Sequence, residues 1–274
     1  MAKKITTFII LLFGVVSISV AQIKLTSWNI QHMGKSKSDE TISYMANLLK
    51  DFDVVAIQEV VAGNGGAQAV ARLADELNRK GAKWEYTISD PTQSSPYSSE
   101  RYAFLWKPSK VKIVDKAWLD QNYVQEIERE PYMIRLKYKD EIITIANFHA
   151  VPTAKQPETE VKYFKTFPEL YPDECLIFLG DFNLPETHNV FNPLRSFGFT
   201  TAHTNQKASL RTKCDTQKPN DCLSKVYDHI IFKSNEINLL DSGVLHFYQD
   251  FPTIQLARKI SDHIPIWVEF DISN

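Results

Sequence analysis

The stretch CLIFLGDFNLP, residues 175–185, joins a buried-strand pattern to a polar end. An apolar run ends at Gly180, and a carboxylate and a carboxamide follow at Asp181 and Asn183. Strand side chains alternate between faces, so residues two positions apart point the same way. Asp181 and Asn183 could therefore converge on one point at a strand end, although glycine, aspartate and asparagine are also ordinary turn formers.

Five further strand-like runs also begin or end in polar groups that a hydrophobic core does not favour. Carboxylates in particular are rarely buried unless they are paired or bind a cation. Any one of these residues alone would be interpreted as a cap, a turn or a salt bridge. Six strands with the same feature favour a common cleft lined by carboxylates, amides and imidazoles. The five further runs contribute Asn29, Glu59, His149, Asp228, and Asp262 with His263.

This set of side chains suits metal-assisted hydrolysis of a phosphoester. Carboxylate and amide oxygens favour a hard divalent cation, Mg²⁺ first with Mn²⁺ or Ca²⁺ as alternatives, over zinc. Two histidines, each with an acid to fix its tautomer, can supply a general base and a general acid. Hydrolysis of a phosphoester needs both, together with positive charge on the phosphate. The sequence has no G-x-S-x-G motif, which disfavours a serine hydrolase, and a glycosidase has no need of the histidines.

The order of periodic segments predicts a mixed α/β fold. Helical spacing covers residues 38–50 and 65–81, with Ser38 and Gly81 as caps, and a third helix is predicted over 155–170. Strand-rich halves with helices to cover them indicate two sheets packed face to face with helices outside. No linker or repeat marks a boundary, so residues 22–274 are predicted to form one domain. Strand-like runs lie at 23–30, 53–60, 83–88, 101–107, 112–119, 132–138, 142–150, 175–182, 227–232, 244–248 and 263–270.

Residues 1–21 have the pattern of a secretory signal peptide. Two lysines precede an apolar run, and small residues at Ser19 and Ala21 fit a cleavage site before Gln22. An uncleaved anchor is the alternative, but the run is shorter than the roughly 20 residues that a bilayer span needs. We therefore expect a secreted or periplasmic protein without a membrane span, and a monomer. Its net charge of −2 gives no general attraction to nucleic acid, so phosphates must be attracted locally or by a bound cation.

The chain has three cysteines. Cys175 lies in the apolar run and is predicted to be a buried free thiol. Cys214 and Cys222 flank a short polar loop and can form a disulfide in an exported protein. Such a bond would stabilise the fold by roughly 2–3 kcal/mol in the chain-entropy description, and the spacing argues against a zinc site.

Eight short motifs, in their order along the chain, resemble the endonuclease/exonuclease/phosphatase superfamily and, more closely, its deoxyribonuclease I branch. They are WNI, QE, ERYAF, REP, NFHA, GDFN, YDHI and SDH, which span residues 28–263. The resemblance implies a four-layer α/β sandwich around two central β-sheets. It also implies metal-dependent hydrolysis of phosphodiester bonds, with DNA as the substrate.

The resemblance further implies a cation site and a water-orienting pair. Glu59 would be the main metal ligand, with Asn29 and Asp262 completing the site. Asp181 would orient the attacking water, and Asn183 would hold a phosphate oxygen.

The resemblance also implies two oriented histidines and a set of substrate contacts. His263, oriented by Asp228, would stand on the general-base side. His149, oriented by Glu100, would face it as the general acid, and an exchange of these two roles stays open. The further substrate contacts would be Arg129, Tyr227 and Tyr97.

The sequence departs from the nuclease branch at positions expected to contact DNA. Gln31 follows the WNI motif where the branch carries an arginine, and Val61 follows QEV where an arginine would reach the minor groove. Tyr97 lies one position out of register with Glu100. These changes weaken the expected phosphate and groove contacts and leave the catalytic set intact.

The sequence thus supports three functional hypotheses. The first is a secreted Mg²⁺-dependent nuclease that cuts DNA. The second is an enzyme of the same class that acts on a phosphomonoester, a sugar phosphate or a phospholipid headgroup, with the loops around 90–100 and 214–222 shaping a small pocket. The third, a binding protein without catalysis, is disfavoured because every expected catalytic residue is present.

Overall fold

The computed structural model describes residues 22–95, 98–218 and 221–273. Within these ranges the chain forms two β-sheets that pack face to face, with helices on the outer faces. This is the predicted four-layer α/β sandwich. The predicted signal peptide, residues 1–21, and Tyr97 lie outside the described residues. In the described ranges, no helix has the length and apolar character of a membrane span.

The first sheet holds the first and last strands of the described chain as neighbours. In spatial order its strands are β12 (Ile237–Val244), β13 (Ile266–Ile272), β1 (Ile23–Met33), β2 (Val54–Val61), β4 (Glu100–Trp106) and β3 (Glu85–Ile88). β1 runs parallel to β2 and antiparallel to β13. Both β1 and β2 are almost continuously buried because the second sheet covers one face and helices cover the other.

The second sheet is built around a parallel pair in its centre. In spatial order its strands are β10 (Phe199–Thr201), β11 (Asp228–Lys233), β9 (Cys175–Asp181), β8 (Glu141–His149), β7 (Tyr132–Tyr138) and β5 (Lys112–Ile113), and β6 (Trp118–Leu119) also pairs with β7. β8 and β9 form the parallel pair, and β11 runs antiparallel to β9. The carboxyl ends of β8 and β9 therefore meet the start of β11 at one edge of the sheet.

Two helices cover the outer face of the first sheet. α1 (Asp39–Leu49) begins after Ser38, whose hydroxyl accepts a hydrogen bond from the Thr41 N–H at 3.2 Å, which confirms the predicted cap. α2 (Asn64–Asn78) ends before Gly81, which has a φ of +101° and lies in the turn that follows. The apolar face predicted for this helix is buried: Val70, Leu73, Ala74 and Leu77.

Short helices bury a cluster of phenylalanine rings against the outer face of the second sheet. The ring of Phe164 lies 4.8 Å from that of Phe148 on β8 and 5.2 Å from that of Phe178 on β9. Aromatic rings bury large apolar areas, so this cluster fixes the helical layer to the sheet. The remaining helices are α3 (Glu158–Val161), α4 (Phe167–Leu170) and α5 (Asn192–Ser196), with α6 (Ile254–Ala257) before β13. Short 3-10 turns lie at Thr153–Lys155, Lys162–Thr166, Asn189–Phe191 and Phe247–Asp250.

Two segment predictions were wrong, and a third was confirmed in extent only. The segment predicted to be helical over 155–170 is helical from Glu158 to Leu170, but it is divided into α3, a 3-10 turn and α4; α4 starts anew with Pro168, which has no N–H for the helical ladder, in its first turn. The strand predicted over 112–119 forms only two brief pairings, and its apolar residues Ile113 and Val114 are exposed. The strand predicted over 244–248 is a 3-10 turn from Phe247, whose ring packs 5.5 Å from that of Trp28.

Candidate active site

Three neighbouring strands of the second sheet bring a histidine and two aspartates into line. His149 ends β8 and Asp181 ends β9, and the two residues are opposite each other in the parallel pair. Asp228 begins β11 and is opposite Asp181 in the antiparallel pair. All three residues are buried. Pairing register alone therefore places two carboxylates and an imidazole at one edge of the sheet.

The first sheet adds Asn29 from β1 and Glu59 from β2. The pairing of β2 with both neighbouring strands is irregular at Glu59, which adopts a φ of +59°. Such a bulge re-aims a side chain, and Glu59 turns to the cleft while Gln58 points between the sheets. Asn29 Nδ2 donates to Glu59 Oε1 at 3.0 Å and to Asp181 Oδ2 at 3.2 Å. The amide of Asn29 thus joins the two sheets at the cleft.

The GDFN segment forms a turn and lines the cleft at the same time. Gly180 has a φ of +129°, and a Cβ at this position would lie 1.9 Å from Phe148 O, so a side chain cannot be accommodated. Asp181 Oδ1 accepts a hydrogen bond from the Asn183 N–H at 2.9 Å, which closes the turn. Asn183 has a φ of +52°, and its Nδ2 donates to Ala150 O at 3.0 Å. Residues 180–183 therefore form a turn and also line the cleft, so both interpretations of this stretch are correct.

Two histidine–carboxylate pairs face each other across Asp181. His149 Nδ1 lies 3.0 Å from both carboxylate oxygens of Glu100. His263 Nδ1 lies 2.8 Å from Asp228 Oδ2. The opposite ring nitrogens, Nε2 of His149 and Nε2 of His263, lie 3.7 Å and 3.6 Å from Asp181 Oδ2. A carboxylate at Nδ1 fixes the ring orientation, so each Nε2 is presented to whatever binds beside Asp181.

The charges in the cleft raise the pKa values of both histidines. Burial alone would lower the pKa of His263, but the carboxylates of Asp228 and Asp181 outweigh it and raise that pKa to about 10. Burial would also lower the pKa of His149, but the Glu100 carboxylate outweighs it and raises that pKa. Burial would raise the pKa of Asp181, yet the two histidines hold it below its usual value. At neutral pH the cleft therefore retains imidazolium protons until another positive charge replaces them.

The donor atoms of the cleft fit a hard cation. Asn29 Oδ1 is buried, and no hydrogen-bond donor of the described residues reaches it. A buried carbonyl oxygen without a partner is costly unless it has a ligand, and it lies in the same side chain that contacts Glu59 and Asp181. Asp181, Asp228 and His263 form a second group whose ligand atoms lie within 4.8 Å of one another and could hold a metal ion. Oxygen atoms predominate in both groups, as Mg²⁺, Mn²⁺ and Ca²⁺ require.

Asp262, the third predicted cation ligand, forms its hydrogen bonds with residues other than Asn29 and Glu59. Its Oδ2 accepts from Gln31 Nε2 at 2.9 Å and from Arg258 at 3.4 Å. Its place in a cation site stays a prediction.

Arg129 and Tyr227, predicted to contact phosphate, lie at different depths. Arg129 is buried behind the first histidine pair, where it donates to Glu100 Oε2 at 3.1 Å and to Ala150 O. Tyr227 is half-buried, with its hydroxyl 3.0 Å from Thr153 Oγ1. Arg129 lines the cleft while it is paired with Glu100, and Tyr227 is not among the described residues that line it. Contact of either residue with phosphate stays a prediction.

The cleft has a volume of 580 Å³ and few cationic groups in its walls. Among the described residues that line it, Arg129 is the one arginine or lysine, and it is already paired. Val61 lines the cleft with 38% of its surface exposed, and Gln31 is held by Asp262. The expected arginines are thus replaced by an apolar wall and by an amide that is already bonded.

Sequence reasoning missed the buried polar residues behind the cleft. Ser261 is fully buried, and its hydroxyl donates to Asn29 O at 2.6 Å and accepts from the His263 N–H at 3.0 Å. Gln58 Nε2 donates to Asn147 Oδ1 at 2.6 Å across the interface between the sheets. Polar residues next to or inside apolar runs indicated that buried hydrogen bonds must exist, but periodicity does not predict which residues bond to each other.

A disulfide closes the loop that leads into Asp228. Cys214 and Cys222 are joined, with their Cα atoms 5.1 Å apart, as the loop composition allowed. Before the bond, Ser209 pairs with His263 and Leu210 N donates to Asp262 O at 2.7 Å. The disulfide loop therefore lies against the segment that carries the second histidine. Cys175 is a free thiol, half-buried at the start of β9.

Comparison with known proteins gives consistent findings in sequence and in fold. Residues 26–263 match the family described as the Endonuclease/Exonuclease/phosphatase family. A deoxyribonuclease of a Thioalkalivibrio species is 28% identical over 293 residues, covering 96% of this chain and 75% of that protein. Human deoxyribonuclease-1 is 27% identical over 265 residues, covering 90% of this chain and 91% of that protein. The human Nocturnin catalytic domain, solved with bound sulfate anion, superimposes with a TM-score of 0.64 at 14% identity, covering 92% of this chain and 95% of that one.

Proposed function

The chain belongs to the endonuclease/exonuclease/phosphatase family, in its deoxyribonuclease I-like branch, and we propose that it is a divalent-cation-dependent endonuclease that hydrolyses DNA. Family and relatives support a phosphoester hydrolase, and the proposal adds the substrate and the cation. The observation that carries it is the Asp181 carboxylate between two oppositely placed histidine–carboxylate pairs. In-line hydrolysis of a phosphodiester needs proton transfer on both sides of the phosphorus, and this arrangement offers a proton-transfer group on each side.

We assign the proton transfers as follows. The reaction starts with His263 neutral, its proton having been released on cation binding, and with His149 protonated. Water attacks the phosphorus, and its proton passes to Nε2 of His263 while Asp181 orients the water. The bond to the leaving oxygen breaks, and that oxygen takes a proton from Nε2 of His149. Glu100 and Asp228 hold the two rings and stabilise the imidazolium form of each. Each cycle consumes one water and returns the two histidines to their starting states after one proton exchange with solvent.

Phosphate binding in this proposal involves groups along the cleft. Asn183 and Tyr227 contact phosphate oxygens, Tyr97 contributes a groove contact, and Arg129 stabilises negative charge from behind Glu100. Asn29 and Glu59 would hold the cation, and Asp262 would complete the site. A bound divalent cation would offset the charge that develops on the phosphate oxygens. Mg²⁺ is the proposed ion, with Mn²⁺ or Ca²⁺ as alternatives.

The cellular context is part of the same proposal. Residues 1–21 act as a signal peptide, and the mature chain, residues 22–274, is a single secreted or periplasmic domain that works as a monomer. The Cys214–Cys222 bond supports this, since disulfides persist in oxidising compartments.

A small phosphoester is the second candidate substrate, and the scarcity of cationic side chains in the cleft walls favours it. The apolar side chain of Val61 and the paired state of Arg129 leave little positive charge for a long polyanion. A phosphomonoester, a sugar phosphate or a phospholipid headgroup carries its charge at the reacting group alone. Such a substrate depends less on cationic walls.

The deciding experiment uses the mature chain, supercoiled plasmid and Mg²⁺, with and without EDTA. Conversion of the plasmid to the nicked form only when the cation is present would support the nuclease. A folded protein that binds the cation and leaves the plasmid intact would contradict it, and a panel of small phosphoesters would then test the second candidate.

Cation binding is expected to release protons near neutral pH. The pKa of His263 is raised to about 10 in the cation-free cleft. The ring therefore stays protonated at pH 8, where an ordinary histidine would be neutral. A cation held by Glu59 and Asp262 adds positive charge next to this ring and lowers that pKa, so about one proton should leave per cation at pH 8. Above pH 10 the ring is already neutral and the release should vanish. Calorimetry in buffers with different ionisation enthalpies measures it, and equal heats in all buffers at pH 8 would contradict the expectation.

Val61→Arg is expected to strengthen the binding of duplex DNA. Val61 is exposed on the cleft wall, and an arginine there adds one phosphate or groove contact. We expect KM for duplex DNA to fall by about three- to ten-fold and the salt slope of binding to steepen by about one. Val61→Gln is the matched control, since it adds length without charge. An unchanged salt slope in Val61→Arg would show that this wall does not face the substrate.

A further inference from the structure

A buried lysine lies next to the cleft outside the set that the motifs identify. Lys37 is 4% exposed and follows β1 in a turn closed by its own N–H to Gly34 O at 3.1 Å. Lysine is among the residues least often buried without a charged partner. A cation kept in such a place by neutral partners points to a role beyond solubility.

The ammonium group of Lys37 binds the chain just before the second histidine pair. Its Nζ donates to Ile260 O at 2.7 Å and to Lys259 O at 3.2 Å. These carbonyls follow the end of α6, where backbone carbonyls have no helical partner. The backbone oxygen of Lys37 in turn accepts from Arg72 of α2 at 3.0 Å. Lys37 therefore connects the helical layer to residues 259–260.

Residues 259–263, called here the His263 segment, are bound to β1 of the first sheet at Ser261, Asp262 and His263, where Gln31 donates to Ser261 Oγ at 3.4 Å and to Asp262 Oδ2 at 2.9 Å. Ser261 contacts β1 through Asn29 O, and Trp28 Nε1 donates to His263 O at 2.7 Å. The attachment through Lys37 lies at the opposite end of this short segment. A shift at residues 259–260 would be passed directly to the His263 ring.

The charge of Lys37 is held close to the cleft, because its Nζ binds Ile260 O, two residues before Asp262. Burial lowers its pKa to about 8, and the two groups that oppose this change are Asp262 and Glu59. These are the carboxylates proposed to hold the cation. A cation entering the cleft is therefore repelled by Lys37 while it is attracted by the same two carboxylates.

We propose that Lys37 is a positioning residue that fixes the His263 segment through its bonds to Lys259 O and Ile260 O and offsets the charge of Glu59 and Asp262. The inference rests on the proposed cation-dependent hydrolysis. It predicts opposite effects of Lys37 on turnover and on cation affinity. Lys37 raises kcat by placing His263, and it weakens cation binding by supplying a competing positive charge.

The test compares Lys37→Met with the mature wild-type chain in three measurements. We expect kcat for plasmid nicking to fall by about ten- to a hundred-fold while KM for DNA stays within about two-fold. We expect Mg²⁺ or Mn²⁺, measured by direct calorimetric titration, to bind about three-fold more tightly. Thermal unfolding reports stability separately. A loss of structure alone would lower activity and cation affinity together, so tighter binding beside slower turnover is the distinguishing result.

Lys50→Met is the control, because it removes the same charge from an exposed position at the end of α1. It should leave kcat and cation affinity unchanged. Lys37→Met with wild-type kcat, or with weaker cation binding, would overturn the inference. If Lys37→Met does not fold, Lys37→Gln is the second variant, since it keeps a donor for Ile260 O without the charge. We expect it to bind the cation more tightly than the wild-type chain does. Failure of both variants to fold would assign Lys37 to stability alone. A wild-type chain that neither binds a cation nor cuts DNA would instead refute the proposed function.

Discussion

His263→Ala is expected to reduce kcat for DNA cleavage by about 10²- to 10⁴-fold without unfolding the protein. The ring is held by Asp228 at 2.8 Å and presents Nε2 beside Asp181 at 3.6 Å. Alanine removes the group proposed to take the proton of the attacking water, and no other histidine of the described residues lies on that side of Asp181 within 4 Å. The fold should survive because this residue is only partly buried and its backbone bonds to Trp28 and Ser261 remain.

The measurement is the nicking rate at saturating Mg²⁺, with thermal unfolding recorded on the same samples. His246→Ala is the matched control, since this histidine is half-buried outside the cleft. A His263→Ala protein that remains folded and cuts at a rate close to wild type would remove His263 from the mechanism. An equal loss in His246→Ala would show that the effect is general rather than local.

Glu59→Gln is expected to lower activity by about 10³-fold and to weaken cation binding. Glutamine has the same length and can still accept the hydrogen bond from Asn29 Nδ2, so the change removes charge and leaves the packing in place. The left-handed backbone at this position is unaltered, because the side chain keeps the same Cβ. The loss should therefore come from the cation site and not from the strand.

Calorimetric titration with Mg²⁺ or Mn²⁺ gives the affinity, and nicking rates at increasing cation concentration give the activity. Glu85→Gln, on the edge strand β3, is the matched control. If Glu59→Gln binds the cation as tightly as wild type, the cation is held elsewhere, and the group formed by Asp181, Asp228 and His263 becomes the leading alternative.

Strand periodicity was sufficient to predict which polar residues meet, because alternation and pairing are regular. Asp181 and Asp228 lie opposite each other in the strand register, and each ends or begins an apolar run in the sequence. Glu59 was also predicted to face the cleft, and it does, but the backbone that turns it there could not be predicted. It depends on an irregular pairing with positive φ, which no residue type near it signals.

Residues that act through long, flexible side chains were harder to predict. Arg129 was predicted as a substrate contact, and it lines the cleft, but its pairing with Glu100 was not predicted. Lys37 has no periodic signal at all, since its burial results from the approach of residues 259–260, more than two hundred positions away in sequence. The disulfide could be predicted because the two cysteines are close along the chain.

The pairing of the first strand with the last has a consequence for biosynthesis. β1 lies between β2 and β13, with Ile23 opposite Phe270, so the sheet is closed by residues made at opposite ends of translation. Contacts of such high sequence separation form late in folding. A nascent chain presents Glu59, His149 and Asp181 while β1 still has an unpaired edge and before His263 has been synthesised. Such an incomplete chain lacks one of the two histidine–carboxylate pairs of the cleft and is open to misassembly at the unpaired edge.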